Sequence, residues 1–252
     1  MQRYVIKLSY NGTNYHGWQM QDNAHTVQSE LTEKLSILLN EKITIVGCGR
    51  TDTGVHASEF YAHFDVIELN WNLVDLIYKL NSFLPYDIVI FDIYKVASSF
   101  NARFSALSRT YSYYITKGKN PFKEKTSYYF NGQLNLTEMN KACEYLIKYT
   151  DFTSFSKLHT QTATNNCKIE KAKFELVGND LTFSITADRF LRNMVRAIVG
   201  TLLEIGKGKI AANDIKKIIE NLPRNKQALF FSATMSPEIN KLTKSLLTNP
   251  IN

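Results

Sequence analysis

The chain has 252 residues, 44% of them hydrophobic, with only five prolines and three cysteines and a formal net charge of +7. That length and apolar content are enough for a real core, in one large domain or two small ones, and no stretch is low enough in complexity to read as a disordered linker. No apolar run approaches the roughly 20 residues of a membrane span, so no membrane association is expected.

The charge has a positive implication too. A basic surface is the usual footprint of a polyanion partner, because each neutralised phosphate releases counterions. The opening MQRYVIKLSY has no uninterrupted apolar segment of the kind a signal peptide carries. Cys48, Cys143 and Cys167 are few, odd in number and widely spaced. They read as reduced thiols of a cytoplasmic protein, not as a disulfide frame or a zinc site.

Residues 4–10 alternate and predict a strand. A polar loop with several aromatic and amide side chains, NGTNYHGWQMQDNAHT, follows. Val27, Leu31, Leu35 and Leu38 then form one helical stripe, with Thr26 as its N-cap. Strands are predicted at 43–48, 59–67 and 87–95, with a helix near 71–81 that stops before Pro85. The order strand, helix, strand, strand, helix, strand is that of the ferredoxin-like split unit. The second part repeats the order in outline, with strands at 109–116, 168–177 and 180–187 and helices at 137–149 and 188–205. The expected fold class is therefore α+β: two ferredoxin-like halves with antiparallel sheets flanked by helices, and a central catalytic cleft. The expected division is 1–105, 106–212 and an atypical tail at 213–252.

One turn stands out as chemistry. In GCGRTDTGVHASEF (47–60), three glycines surround the carboxylate of Asp52. Gly47, Gly49 and Gly54 allow positive φ or the close approach of another segment, so the backbone can present Asp52 in a cleft. Three roles are open to it: a turn cap, a metal ligand, or a nucleophile or base. Metal is weakly supported, since neither a second carboxylate nor a histidine pair lies at ligand spacing. His56 reads as structural.

The stretch GRTDTGVHA resembles the catalytic turn of the tRNA pseudouridine synthase A family. The likeness continues, in the family's order, through YNGTNYHGWQMQ, TVQSELTEKL, FNARFSALSRTYSYYI, DFTSFSK and RFLRNMVRAIVGTLLEIGKGK, over about residues 1–210. The resemblance implies an isomerase that converts uridine to pseudouridine at positions 38–40 of the tRNA anticodon arm. It breaks the N-glycosidic bond, turns the base and rejoins C5 to the sugar, with no metal or organic cofactor. The family acts as a homodimer. Asp52 matches the essential aspartate, acting by covalent attack or by proton removal. Arg196 matches the arginine that faces it, and Tyr111 the tyrosine that stacks on the target uracil.

Arg189, Arg192 and Arg196 fall at i, i+3 and i+7, which puts them on one face of the expected long helix; Phe190, Met194 and Ile198 line another. Alternation places Tyr111 and Tyr113 on one strand face and Tyr114 on the other, where core packing is expected for Tyr114. Arg50 is a candidate for holding phosphate or filling the space the base vacates. Arg103 and Arg109, with the 10–21 loop, would supply basic and aromatic groups for an RNA cleft.

The family's closing apolar strand, with its active-site leucine, has no clear counterpart. Residues 215–252 instead resemble a fragment of a DEAD-box RNA helicase, in LFFSATM (229–235) and EINKLTKSLL (238–247). The chain lacks G-x-x-x-x-G-K-[ST], so helicase activity is rejected. QALFFSA (227–233) could replace the missing strand, with Leu229 in the leucine's place. The alternative function is then a catalytically impaired tRNA-binding protein.

Overall fold

The computed structural model describes residues 1–156 and 164–220. Its first six regular elements are β1 (Gln2–Tyr10), α1 (Val27–Leu39), β2 (Ile45–Gly47), β3 (Ala57–Val66), α2 (Leu73–Phe83) and β4 (Ile88–Val96). The strands form a sheet in the order β2-β3-β1-β4, with β1 antiparallel to both β3 and β4. Next come β5 (Arg109–Thr116), β6 (Tyr128–Tyr129), α3 (Leu136–Leu146), β7 (Ile169–Val177), β8 (Asp180–Ala187), α4 (Met194–Gly206) and α5 (Asp214–Glu220). The second sheet runs β6-β5-β8-β7. It is mixed, not purely antiparallel, because β6 joins β5 in parallel at Ile115–Tyr128 and Thr116–Tyr129. The α+β class with two sheets and flanking helices is as expected; the fourth strand and parallel pairing of the second sheet are not.

Two compact units contain these elements. The first is Met1–Asn131 with Leu176–Thr182 and Thr186–Arg189; the second is Gly132–Glu175 with Phe183–Ile185 and the described residues from Phe190.

In the first unit, Thr26 caps α1 in a capping box. Its hydroxyl accepts from the Ser29 N–H, and the Ser29 side chain accepts from the Thr26 N–H. Such a cap stabilises a helix by about 1 kcal/mol. Val27, Leu31 and Leu35 are fully buried with Ile6 and Leu8 of β1 and Leu76 and Leu80 of α2 in one core. Each such side chain contributes roughly 1.5–3 kcal/mol by leaving water. In the second unit, Met139, Ala142, Cys143 and Leu146 form the buried stripe of α3, which packs on α4. An asparagine grips an edge strand in each unit. Asn81 of α2 bonds both the N–H and the carbonyl of Ile90, each at 2.8 Å. Asn140 of α3 does the same to Phe174 of β7, at 2.8 and 3.1 Å. Both satisfy backbone groups that the edge of a sheet leaves unpaired.

Several expectations need correction. The helix expected over 188–205 begins only at Met194, because Asn193 is left-handed, with φ 69°. Arg189, Phe190 and Arg192 therefore precede the helix, and their expected shared faces do not form. Tyr114 is 50% exposed, not a core residue. The two-residue β6 and the seven-residue α5 were not expected. The substitute strand at 227–233, and Leu229 with it, lie outside the described residues. No helix among the described residues is long and apolar enough to cross a membrane.

Candidate active site

Asp52 follows β2 on a tight turn within the first unit. Its carbonyl accepts the Val55 N–H at 3.1 Å, and Gly54 between them has φ +77°. A four-residue turn with a positive φ at its third position and none at its second is type II, which is why glycine sits there. Of the other two motif glycines, Gly47 lies against the Trp18 indole, while Gly49 meets neither condition.

The turn is held from outside by the 10–18 segment. The Trp18 N–H donates to the Thr51 carbonyl at 3.2 Å, and the Gly54 N–H to the Tyr15 carbonyl at 3.3 Å. The Gly12 N–H donates to Nδ1 of His56 at 3.0 Å. His56 is thus structural, though it serves a neighbouring loop and not its own turn. Tyr10 Oη and Thr51 Oγ1 are 2.9 Å apart. Gly17 makes this approach possible: it has φ +85°, and a Cβ there would run into the Thr51 carbonyl.

This loop was expected to offer aromatic rings to RNA. Instead Tyr15 and Trp18 are 2% and 1% exposed. Trp18 packs on Phe60, with ring centroids 4.2 Å apart, and near Tyr10 at 6.0 Å. Large rings that can leave water in a core do so; they fasten the loop beneath the turn.

Tyr111, on β5, is half-buried. Burial raises its pKa, and the negative charge of Asp52 raises it further against the opposing charge of Arg109. The phenol, uncharged at neutral pH already, stays so within electrostatic reach of the Asp52 carboxylate, and an uncharged ring can stack on a base. Burial likewise raises the pKa of the neighbouring Cys48 thiol.

Arg50 and Arg103 are exposed. The Arg103 guanidinium lies 5.4 Å from the Phe104 ring centroid. Arg109 opens β5 with a different geometry. Its Nη1 donates to the carbonyls of Ala106 at 3.3 Å and Asp188 at 2.8 Å, and its Nη2 to those of Cys48 at 2.8 Å and Arg103 at 2.6 Å. Sequence reasoning placed this residue among the basic groups of an RNA cleft and did not foresee these carbonyl partners. It also missed the supporting roles of Gly12, Gly17, Tyr10 and Trp18. The only available signal was the Gly-aromatic pairing in GTNYHGW. Arg196 is exposed in the first turn of α4, in the second unit. The structure thus gathers Asp52, Tyr111, Cys48 and Arg109 in one unit, around a turn with outside support.

A family model described as tRNA pseudouridine synthase matches residues 7–105 and 142–241. The chain belongs to this family. A protein of Parabacteroides distasonis named tRNA pseudouridine synthase A is 49% identical over 94% of this chain and 97% of its own length. One of the same name from Azobacteroides pseudotrichonymphae is 51% identical over 88% of each. Another, from Francisella tularensis, is 36% identical over 94% of this chain and 95% of its own. The family match runs to residue 241, through LFFSATM. It gives the helicase likeness of 215–252 no support and removes the ground for reading the tail as a departure from the family.

Proposed function

We propose that this chain is a tRNA pseudouridine synthase that isomerises uridine at positions 38–40 of the anticodon arm. The observation that carries the reading is Asp52, presented by a backbone-held turn within electrostatic reach of the Tyr111 ring, in a chain of this family. Asp52 acts on the flipped nucleotide as an ionised carboxylate, by attack or by proton removal. Tyr111 stacks on the uracil, which leaves its helix at a cost of a few kcal/mol. Arg196 is the cation proposed to keep Asp52 ionised and aimed. The exposed Arg50 and Arg103 are proposed to hold phosphate. No cofactor is assigned. The division into halves at 1–105 and 106–212, a homodimeric state and a cytoplasmic location are part of the same proposal, and the resemblance supports them.

The test is tritium release from tRNA labelled at C5 of uridine. Wild type is expected to release label from anticodon-arm uridines, and Asp52→Asn to release none above background. Turnover that survives the substitution would remove Asp52 from the chemistry.

A further inference from the structure

We propose that Arg109 is a positioning residue for the turn that carries Asp52, and that it makes no contact with RNA phosphate. Each Nη of a guanidinium carries two N–H groups, and here each Nη donates to two carbonyls. All four terminal donors of Arg109 are thereby engaged, by Ala106 and Asp188 on one side and Cys48 and Arg103 on the other. Only Nε–H remains, too little for the two-pronged grip that makes arginine a phosphate ligand. No ion pair of Arg109 occurs among the described residues.

What it does instead follows from where those carbonyls lie. Cys48 stands four residues before Asp52. Its N–H donates to the Tyr61 carbonyl at 2.7 Å while its carbonyl accepts from Arg109. The residue from which the turn departs is thus fixed on both sides. Arg103 and Ala106 lie just before β5, and Asp188 just after β8, so one planar cation ties three separate segments together. A lysine has three donors on one tetrahedral nitrogen and cannot span the same four acceptors. Loss of the tie frees Cys48, and with it the aim of Asp52. A displacement of about 1 Å at a reacting group lowers turnover by roughly 100-fold.

The consequence for turnover rests on the functional reading above, but the exclusion from RNA contact does not. Arg109→Lys is compared with Arg103→Ala for kcat, for tRNA dissociation constant and for the salt dependence of binding. Arg109→Lys is expected to lower kcat by about 10- to 100-fold. Its dissociation constant should stay within about threefold of wild type, with an unchanged slope of log affinity on log salt. Arg103→Ala, a lost phosphate contact, is expected to weaken binding and flatten that slope by about 0.7–0.9. A flattened slope in Arg109→Lys would overturn the proposal, and so would unchanged kcat and binding.

A second measurement needs no variant to fold. Wild-type protein is treated with phenylglyoxal, with and without tRNA, and each arginine is followed by mass spectrometry. Arg109 is expected to stay unlabelled in both, while Arg50 and Arg103 react. Rapid labelling of Arg109 that tRNA blocks would refute the proposal. A wild-type enzyme that forms no pseudouridine would sink the functional reading and still leave the labelling result to decide the fate of Arg109.

Discussion

Gly17 and Gly49 give opposite predictions although only Gly49 lies in the motif that carries Asp52. Gly17 has φ +85°, and a Cβ there would collide with the carbonyl of Thr51, the residue before Asp52. Gly49 has nothing within 4 Å of the same added atom. For Gly17→Ala, holding an L-residue in the left-handed region costs about 1–2 kcal/mol. Displacing the Thr51 carbonyl also breaks its bond to the Trp18 N–H, worth about 0.5–1.5 kcal/mol. The sum is roughly 2–3 kcal/mol. At an m value of roughly 3 kcal/mol per molar urea, the unfolding midpoint falls by about 1 M. Because Thr51 moves, turnover should fall too, by about 10- to 100-fold. Gly49→Ala should stay within about 0.5 kcal/mol of wild type. Urea unfolding followed by tryptophan fluorescence, with tritium release alongside, measures both. If the two variants lose equal stability, the turn is not braced by the 10–18 segment as described.

The Tyr10–Thr51 contact should behave as a coupled pair. Thr51→Val strands the hydroxyl of a tyrosine that is 3% exposed, at a cost of about 1–3 kcal/mol, and adding Tyr10→Phe should recover part of it. Strictly additive losses in the four-member cycle would deny the contact any energetic role. His63 should make the fold acid-sensitive. Its Nδ1 accepts the Ala102 N–H at 3.1 Å, and burial first, then the charge of Arg3, lowers its pKa against the opposing charge of Asp65. The folded state therefore favours the neutral ring, while the unfolded chain takes up a proton near pH 6.5. This contribution is whole above that pH and declines as pH falls toward the lower folded value. The urea midpoint should drop between pH 7.5 and 5.5, and His63→Gln, which keeps an acceptor for Ala102, should lessen the drop. An identical drop in both proteins would clear His63 of the effect.

Much of the first unit could be read from the sequence because its signals are local and agree. Thr26 and the 27-31-35 stripe mark α1, and alternation marks β1 and β3. The second part was harder. The apolar spacing Phe190, Met194, Ile198 runs straight through Asn193, and period alone gives no warning that one left-handed residue stops the helix there. The two residues of β6 are too few to show any period. At the site, Asp52 and Tyr111 were singled out through resemblance and through types that chemistry favours, and the structure places both in the first unit. The residues that hold them were missed or misread. Trp18 looked like a stacking platform because aromatic residues in a polar loop suit either RNA or a core, and only the fold decides which. Arg109 was placed among the basic groups of an RNA cleft because sequence shows a cation but not the carbonyls that surround it.

That difference has a physical basis. Five of the six contacts described for the turn involve a backbone atom of the 48–54 stretch or of the 10–18 segment: Trp18 to Thr51, Tyr15 to Gly54, Gly12 to His56, Cys48 to Tyr61, and Arg109 to Cys48. A backbone carbonyl or N–H has no residue identity, so such contacts leave almost no mark on composition or spacing. They suit the task for the same reason. A carboxylate gripped through its own oxygens would have those oxygens engaged when substrate arrived. In the role proposed for Asp52, support through the peptide groups on either side would fix where it points and leave its carboxyl to the reaction. Gly12, Gly17 and the distant arginine are then parts of one device, in which glycine lets backbone approach backbone and a guanidinium supplies enough donors to collect the carbonyls.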